Sequence, residues 1–319
     1  MSMSRSLSGL SHPWGLTGMC LVAALLIKPV QERVDGSLKE SPADPDLLYF
    51  NSPAVVKRMA LGYEGLVGDL YWMRVIQYYG RREEAARRPV RYKNLAALLD
   101  ITTTLDPERL DVYRAGSMFL AEPEPLGAGQ PEGALRLLDK GISHHPVQWH
   151  LRFDKGFVYF WFLKDFSRAG EEWLRASRLR TAPPWMESLA AMAISKAGAV
   201  ETARAIWQRQ YHESERPDVR SNAWNHLASI QVTADLWTLE FLLEKYRQKN
   251  GSLPAGLEEL AHAGFPPHAT RDPSGTPYFY DHSKGTVRMD PATKVRYLKV
   301  PFDYKDAFLE KLVHAFSAP

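Results

Sequence analysis

Four prolines set the rhythm of this chain. Pro107, Pro146, Pro183 and Pro217 stand 39, 37 and 34 residues apart, and each follows a stretch of helically spaced apolar residues. Proline stops a helix because it has no N–H to donate and its ring collides with the preceding turn. A helix that recurs with its stop at a nearly constant interval implies one supersecondary unit used repeatedly. The residues before each stop repeat as well. Leu95, Leu99 and Thr102 precede Pro107, and Ala134, Leu138 and Gly141 precede Pro146. Ala169, Trp173 and Ala176 precede Pro183, and Ala203 and Trp207 precede Pro217. Offsets of four and seven lie on one helix face. Small residues there let two helices approach, and the large residue fills the gap one turn on.

A matching helix lies upstream of two of these, with Gly116-x-x-Phe119 before Ala134 and Gly156-x-x-Tyr159 before Ala169. The combination resembles the tetratricopeptide pattern: a small residue and an aromatic in helix A, Ala-x-x-x-aromatic-x-x-Ala in helix B, then proline. The resemblance implies a mainly α fold, an α-solenoid of helix pairs, with four units at about 54–107, 108–146, 147–183 and 184–217. A helix over 218–230 would cap the stack, since a last unit otherwise exposes an apolar face. Glu122 to Pro131, rich in proline and glycine, reads as a surface loop.

The ends differ from this middle. Trp14 to Ile27 (WGLTGMCLVAALLI) carries no charge and is bounded by Arg5 and Lys28-Pro29. It is short for a full span, which needs about 20 residues, but its apolar neighbours extend it. Small residues suited to signal cleavage are poorly placed after it. An uncleaved signal-anchor over 1–30, a transmembrane helix, is the expectation, with a cleaved signal as the alternative. Residues 31–53, with Pro42, Pro45 and Pro53, read as a linker. Three flanking basic residues (Lys28, Arg33, Lys39) against Arg5 favour a cytoplasmic body. Short anchors of this kind usually export the chain beyond them, so a single-pass protein of a bacterial inner membrane with a periplasmic body is expected.

Residues 54–231 would hold the repeats and 232–319 a small α+β module. The latter starts with a helix over 233–250 that stops at Asn250-Gly251. Leu253-Pro254, then Asp272-Pro-Ser-Gly-Thr-Pro277-Tyr278, come next. This order resembles the globular end of type II secretion pseudopilins. It implies a β-hairpin in which 278–280 pairs with 286–289, succeeded by a terminal helix. The pseudopilin stem should join this helix directly, whereas repeats intervene here, and the acidic calcium loop has no counterpart. The whole layout resembles bacterial tetratricopeptide proteins with one N-terminal membrane segment.

Composition narrows function. A net charge of +3 speaks against a general nucleic-acid binder, and the one cysteine, Cys20, excludes an internal disulfide. Phosphate-loop, dinucleotide, zinc-protease and nucleophile-elbow motifs do not occur. His144-His145 reads as a helix end and Asp272 as a turn former. No catalytic residue, cofactor, metal or small-molecule substrate is expected. The expected function is a non-enzymatic scaffold or assembly subunit in a bacterial envelope complex, binding other proteins; a pseudopilin-like or secretion accessory role is the alternative.

Two sets of residues carry that expectation. In the repeat register Phe153, Phe157 and Phe160 fall on the groove side of helix A, with Tyr113 and Ser117 in the equivalent places one unit earlier. Arg81, Arg82, Arg87, Arg88 and Arg91 form a basic patch with Lys93, relieved by Glu83 and Glu84. It reads either as a solvated loop or as a contact for anionic lipid or an acidic partner, beside the anchor.

Overall fold

The computed structural model describes residues 25, 27–29, 32–33, 50, 52–80, 92–264, 269–301 and 303–317. The expected anchor over 1–30 lies almost wholly outside these residues, and Arg81, Arg82, Arg87, Arg88 and Arg91 lie entirely outside them. Among the described residues no helix is long and apolar enough to cross a membrane. The chain divides into two compact units, Met1–Asn51 and Ser52–Pro319. The second is mainly helical, with one small antiparallel sheet near its C-terminal end.

That unit opens with α1 (Pro53–Met59), α2 (Glu64–Gly80) and α3 (Leu95–Leu105). It continues with α4 (Leu110–Ala121), α5 (Pro131–His144) and α6 (Trp149–Phe157). A π-helical segment, Val158–Leu163, leads to α7 (Phe166–Ser177), α8 (Trp185–Lys196) and α9 (Val200–Glu213). Proline at the first position of α1, α5 and the later α10 costs no hydrogen bond there and presets the backbone. Asp165 caps α7 by accepting from the Arg168 N–H at 2.9 Å.

Consecutive helices pack on one another: α2 with α3, α4 with α5, α6 with α7, α7 with α8, α8 with α9 and α9 with α10. The close approaches are the small residues of the repeat. Gly116 on α4 faces Leu99 and Leu137, and Gly141 on α5 faces the Tyr113 ring. Gly156 on α6 faces Trp173. The first aligned position (Leu95, Ala134, Ala169, Ala203) is 0 % exposed in every pair. The second (Leu99, Leu138, Trp173, Trp207) is at most 2 % exposed. Charge ties successive pairs together at one interval. Arg109 binds Asp69, Lys140 binds Asp100 at 2.6 Å and Arg114 binds Asp154 at 2.6 Å, each across 40 residues of chain. Arg114 and Asp154 occupy the same place relative to Gly116 and Gly156, so one position pairs with its own copy in the next unit.

The structure corrects the end of the repeats. The helices expected over 218–230 and 233–250 are one helix, α10 (Pro217–Asn250), 34 residues long. Between Pro217 and Gly251 there is no glycine or proline, so nothing in the backbone stops it. The boundary expected at 231/232 therefore falls inside a helix that serves both modules. The first half of α10 packs Ala223 and Ile230 against Trp207 and Ile206 of α9. Its second half packs Leu239, Leu242 and Leu243 against Leu257, Leu260, Tyr278 and Val287.

After the short α11 (Glu259–His262), β1 (Phe279–Asp281) and β2 (Thr286–Arg288) form the hairpin. The register pairs Phe279 with Arg288, Tyr280 with Val287 and Asp281 with Thr286. Tyr278 holds this module to α10 by donating to Asp235 at 2.7 Å, and the Gln231 amide donates to the same carboxylate at 2.8 Å. The final helix, α12 (Asp303–Ser317), packs Tyr304 and Phe308 against Trp237 of α10.

Candidate protein-binding groove

The aromatic run of the third pair does not continue as an α-helix. Val158–Leu163 widens into a π-helix, whose hydrogen bonds reach one residue further along the chain. Lys164 closes it in the left-handed region at φ 57°, and the Asp165 N–H reaches back to the Tyr159 carbonyl at 2.9 Å. The wider turn changes which ring faces where. Phe160 turns onto Trp173 and Phe166, at centroid distances of 5.4 and 5.0 Å. Trp161, stacked on Phe157, is the ring left in solvent, 56 % exposed. Lys196 of α8 closes over Phe160 and Phe166 at 4.9 and 4.4 Å, an attraction between a cation and two ring faces.

Of the five expected groove residues, Tyr113 and Ser117 belong to the core. Both are 0 % exposed. Gly141 opens the space that the Tyr113 ring fills, and burial, with nearby carboxylates, raises its phenol to about 12. Ser117 turns its hydroxyl back onto the Arg114 carbonyl at 2.8 Å. Phe153 is half-buried, stacked on Trp173 and edge-on to Trp149 and Trp185. Phe157 and Phe160 are likewise half-buried. The repeat register placed these rings on one helix face but carried no information on the neighbouring unit, which covers much of that face.

The surface that remains open lies one unit further on. A cleft of about 320 Å³ runs between α8 and α10. Trp185, Leu189 and Met192 form its apolar wall, and Ser188, Asn222 and His226 supply polar groups. Trp185 is 48 % exposed, and its ring continues the aromatic line of Trp149 and Phe153 at 6.2 and 5.9 Å. The sequence held a signal for this wall. Trp149 and Trp185 both open a helix just after the proline stop, and Trp185, Leu189 and Met192 recur at helical spacing.

His226 sits at the floor of the cleft. Its ring lies flat on Trp207, with centroids 4.0 Å apart and planes 6° apart. Burial lowers its pKa from 6.5 to about 4. The folded protein thus binds this proton less readily than the unfolded chain. The contribution to stability is whole above pH 6.5 and is lost as the pH falls through that value towards about 4. Allowing for partial exposure, it amounts to about 2 kcal/mol. His226→Phe keeps the stack and removes the proton. Thermal melts are expected to show a smaller fall in Tm between pH 6.5 and 4 for the variant than for the parent. Identical slopes would show that the histidine is not coupled to folding.

The other sequence features resolve into structural roles. His145 pairs with the Pro107 carbonyl at 2.9 Å, and His144 ends α5. Asp272 accepts from the Ser274 and Thr276 N–H groups at 2.8 and 3.1 Å and from the Thr293 hydroxyl, which makes it the organiser of a turn. Among the described residues no group of His, Cys, Asp and Glu is placed to hold a metal ion. Comparison with protein-family models, curated proteins and solved structures finds no match.

Proposed function

We propose that this chain is a membrane-anchored scaffold of the tetratricopeptide type, which holds a segment of another protein in the cleft between α8 and α10 and performs no chemistry of its own. One observation carries the reading: a half-exposed Trp185 at the mouth of an apolar-walled cleft, continuous with the rings of the preceding pair. Partners of such surfaces bind through a few aromatic anchors. The apolar run Trp14–Ile27 supports a single-pass anchor, with the body in the bacterial periplasm, and the arginines over 81–91 support contact with an anionic surface or acidic partner.

The test places a photo-crosslinking residue at Leu189 of the full chain in its native membranes, with a second at exposed Glu171 on α7 as control. The expected result is one discrete adduct from position 189, lost in Trp185→Ser, with the chain retained in the membrane after a carbonate wash. Identical adducts from both positions would remove the cleft reading, and release by carbonate would remove the anchor.

A pseudopilin-like accessory role is the second reading. It is favoured by α10, a long helix that runs directly under a hairpin module through Leu239, Leu243 and Tyr278. On that reading a third photo-crosslinking residue, at exposed Phe279 of the hairpin, would give the discrete adduct and Leu189 would not.

A further inference from the structure

Helix α2 is apolar on both sides. Its inner side packs on α3, with Val75 and Tyr78 buried and Gly68 against Leu105. Its outer side carries Leu66, Leu70, Met73 and Ile76, between 43 and 61 % exposed, along more than two turns. Leu61 and Tyr63, 83 and 69 % exposed, lead into it. The polar residues on that side are Asp69, already engaged by Arg109, and Gln77. A helix apolar all round is ordinarily covered on all sides, and the unit at the end of a stack ordinarily has a polar outer face. This end unit has the reverse.

Charge indicates what covers it. The preceding helix adds Lys57 and Arg58, both exposed. The sequence leaving α2 adds Arg81, Arg82, Arg87, Arg88, Arg91 and Lys93 against Glu83 and Glu84. A second copy docking on the same face would set Lys57 and Arg58 of one copy against those of the other. An apolar helix face within a basic stretch of sequence instead matches the boundary of an anionic bilayer, where apolar side chains enter the acyl region and each cation gains about 1 kcal/mol at the surface. The apolar run Trp14–Ile27 ends only about 25 residues before α1 in the chain, so a tether of that length keeps this unit near the same membrane.

We infer that the outer face of α2 lies on the surface of an anionic lipid bilayer, in the plane of the membrane, and so holds the first helix pair against it. The inference goes beyond the proposed scaffold function and draws on it for the tether and for the basic run over 81–91.

The test uses the full chain with Cys20→Ser and a single environment-sensitive label at Leu70→Cys, mixed with phosphatidylcholine vesicles with or without phosphatidylglycerol. Leu66→Cys serves as a second labelled variant, and Ser252→Cys, beyond the far end of α10, as a control. Flotation reports anchoring separately. With phosphatidylglycerol the labels at 66 and 70 are expected to shift to shorter wavelength and to lose most of their intensity when the acyl chains are brominated. Position 252 should not respond, and the response should weaken with added salt. Chain that floats without bromine quenching at 66 and 70 overturns the docking and leaves the anchor intact. Quenching at those positions in chain that a carbonate wash releases supports the docking and removes the anchor. A lipid-independent shift that grows with protein concentration identifies a second copy on the face and overturns the proposal.

Discussion

Replacing Phe153 and Phe160 together by serine is expected to destabilise the fold rather than merely to blunt a binding surface. Phe153 stacks on Trp173 at 6.2 Å, and Phe160 meets the same indole at 5.4 Å. Trp173 is 2 % exposed at the centre of the cluster formed by Ala169, Ala176, Met186 and Ala190. Truncating one fully buried Phe costs about 3–5 kcal/mol. These two are half-buried, so the pair together should cost about that much. At roughly 2–4 °C per kcal/mol for a domain of this size, Tm should fall by roughly 10 °C. Trp161→Ser is the contrast: that ring is 56 % exposed, and its loss should change stability by no more than about 0.5 kcal/mol. Circular dichroism melts of both variants check the pair. Equal, small shifts would show that the π-helical segment hangs free of the core.

Gly156→Val is expected to be nearly as costly for the opposite reason. A Cβ built at Gly156 stands 2.5 Å from Trp173 Cδ1 and 2.9 Å from Cε2. The indole has no retreat, because its Nε1–H donates to the Phe153 carbonyl at 3.0 Å. Overpacking costs about 1–3 kcal/mol, and stranding a buried N–H costs a similar amount. The sum, on the order of 3 kcal/mol, exceeds the gain of about 0.5–1 kcal/mol from removing a helical glycine. Gly65→Ala in α2 isolates that gain, since its added Cβ meets nothing within 4 Å, and it should stabilise slightly. Chemical denaturation of Gly156→Val, alone and with Trp173→Leu, measures the clash, which the smaller side chain should partly relieve. No relief would mean that the glycine is needed for some purpose other than Trp173.

The mainly helical character of the chain was legible because apolar spacing is a local rule. Leu99 and Leu138 stand eight residues before their proline and Trp173 and Trp207 ten before theirs, each one turn after a buried position on the same helix face. The hairpin of 279–288 was legible for a similar reason, since Asp281 to Gly285 turn tightly between two strands close in sequence. The exposure of the rings expected to line a groove was not. Tyr113 and Phe153 occupy equivalent positions, yet one is wholly buried and the other half-buried. That difference depends on the neighbouring helices: Gly141 and His145 enclose Tyr113, whereas Phe153 looks towards Trp149 and Trp185.

By itself, then, the sequence determined that the chain is mainly helical, which positions along each helix are buried, and which glycines must stay small, because burial periodicity and close approach act within a few tens of residues. Tertiary structure decided the rest. It made one 34-residue helix of two expected ones, because α10 finds a core first on α9 and then under the hairpin. It turned Trp161 outward through a π-helix, opened the cleft at Trp185 and left the outer face of α2 uncovered. Each of these depends on which surfaces meet across units, and a side chain's exposure is set by that meeting rather than by its own place in the repeat.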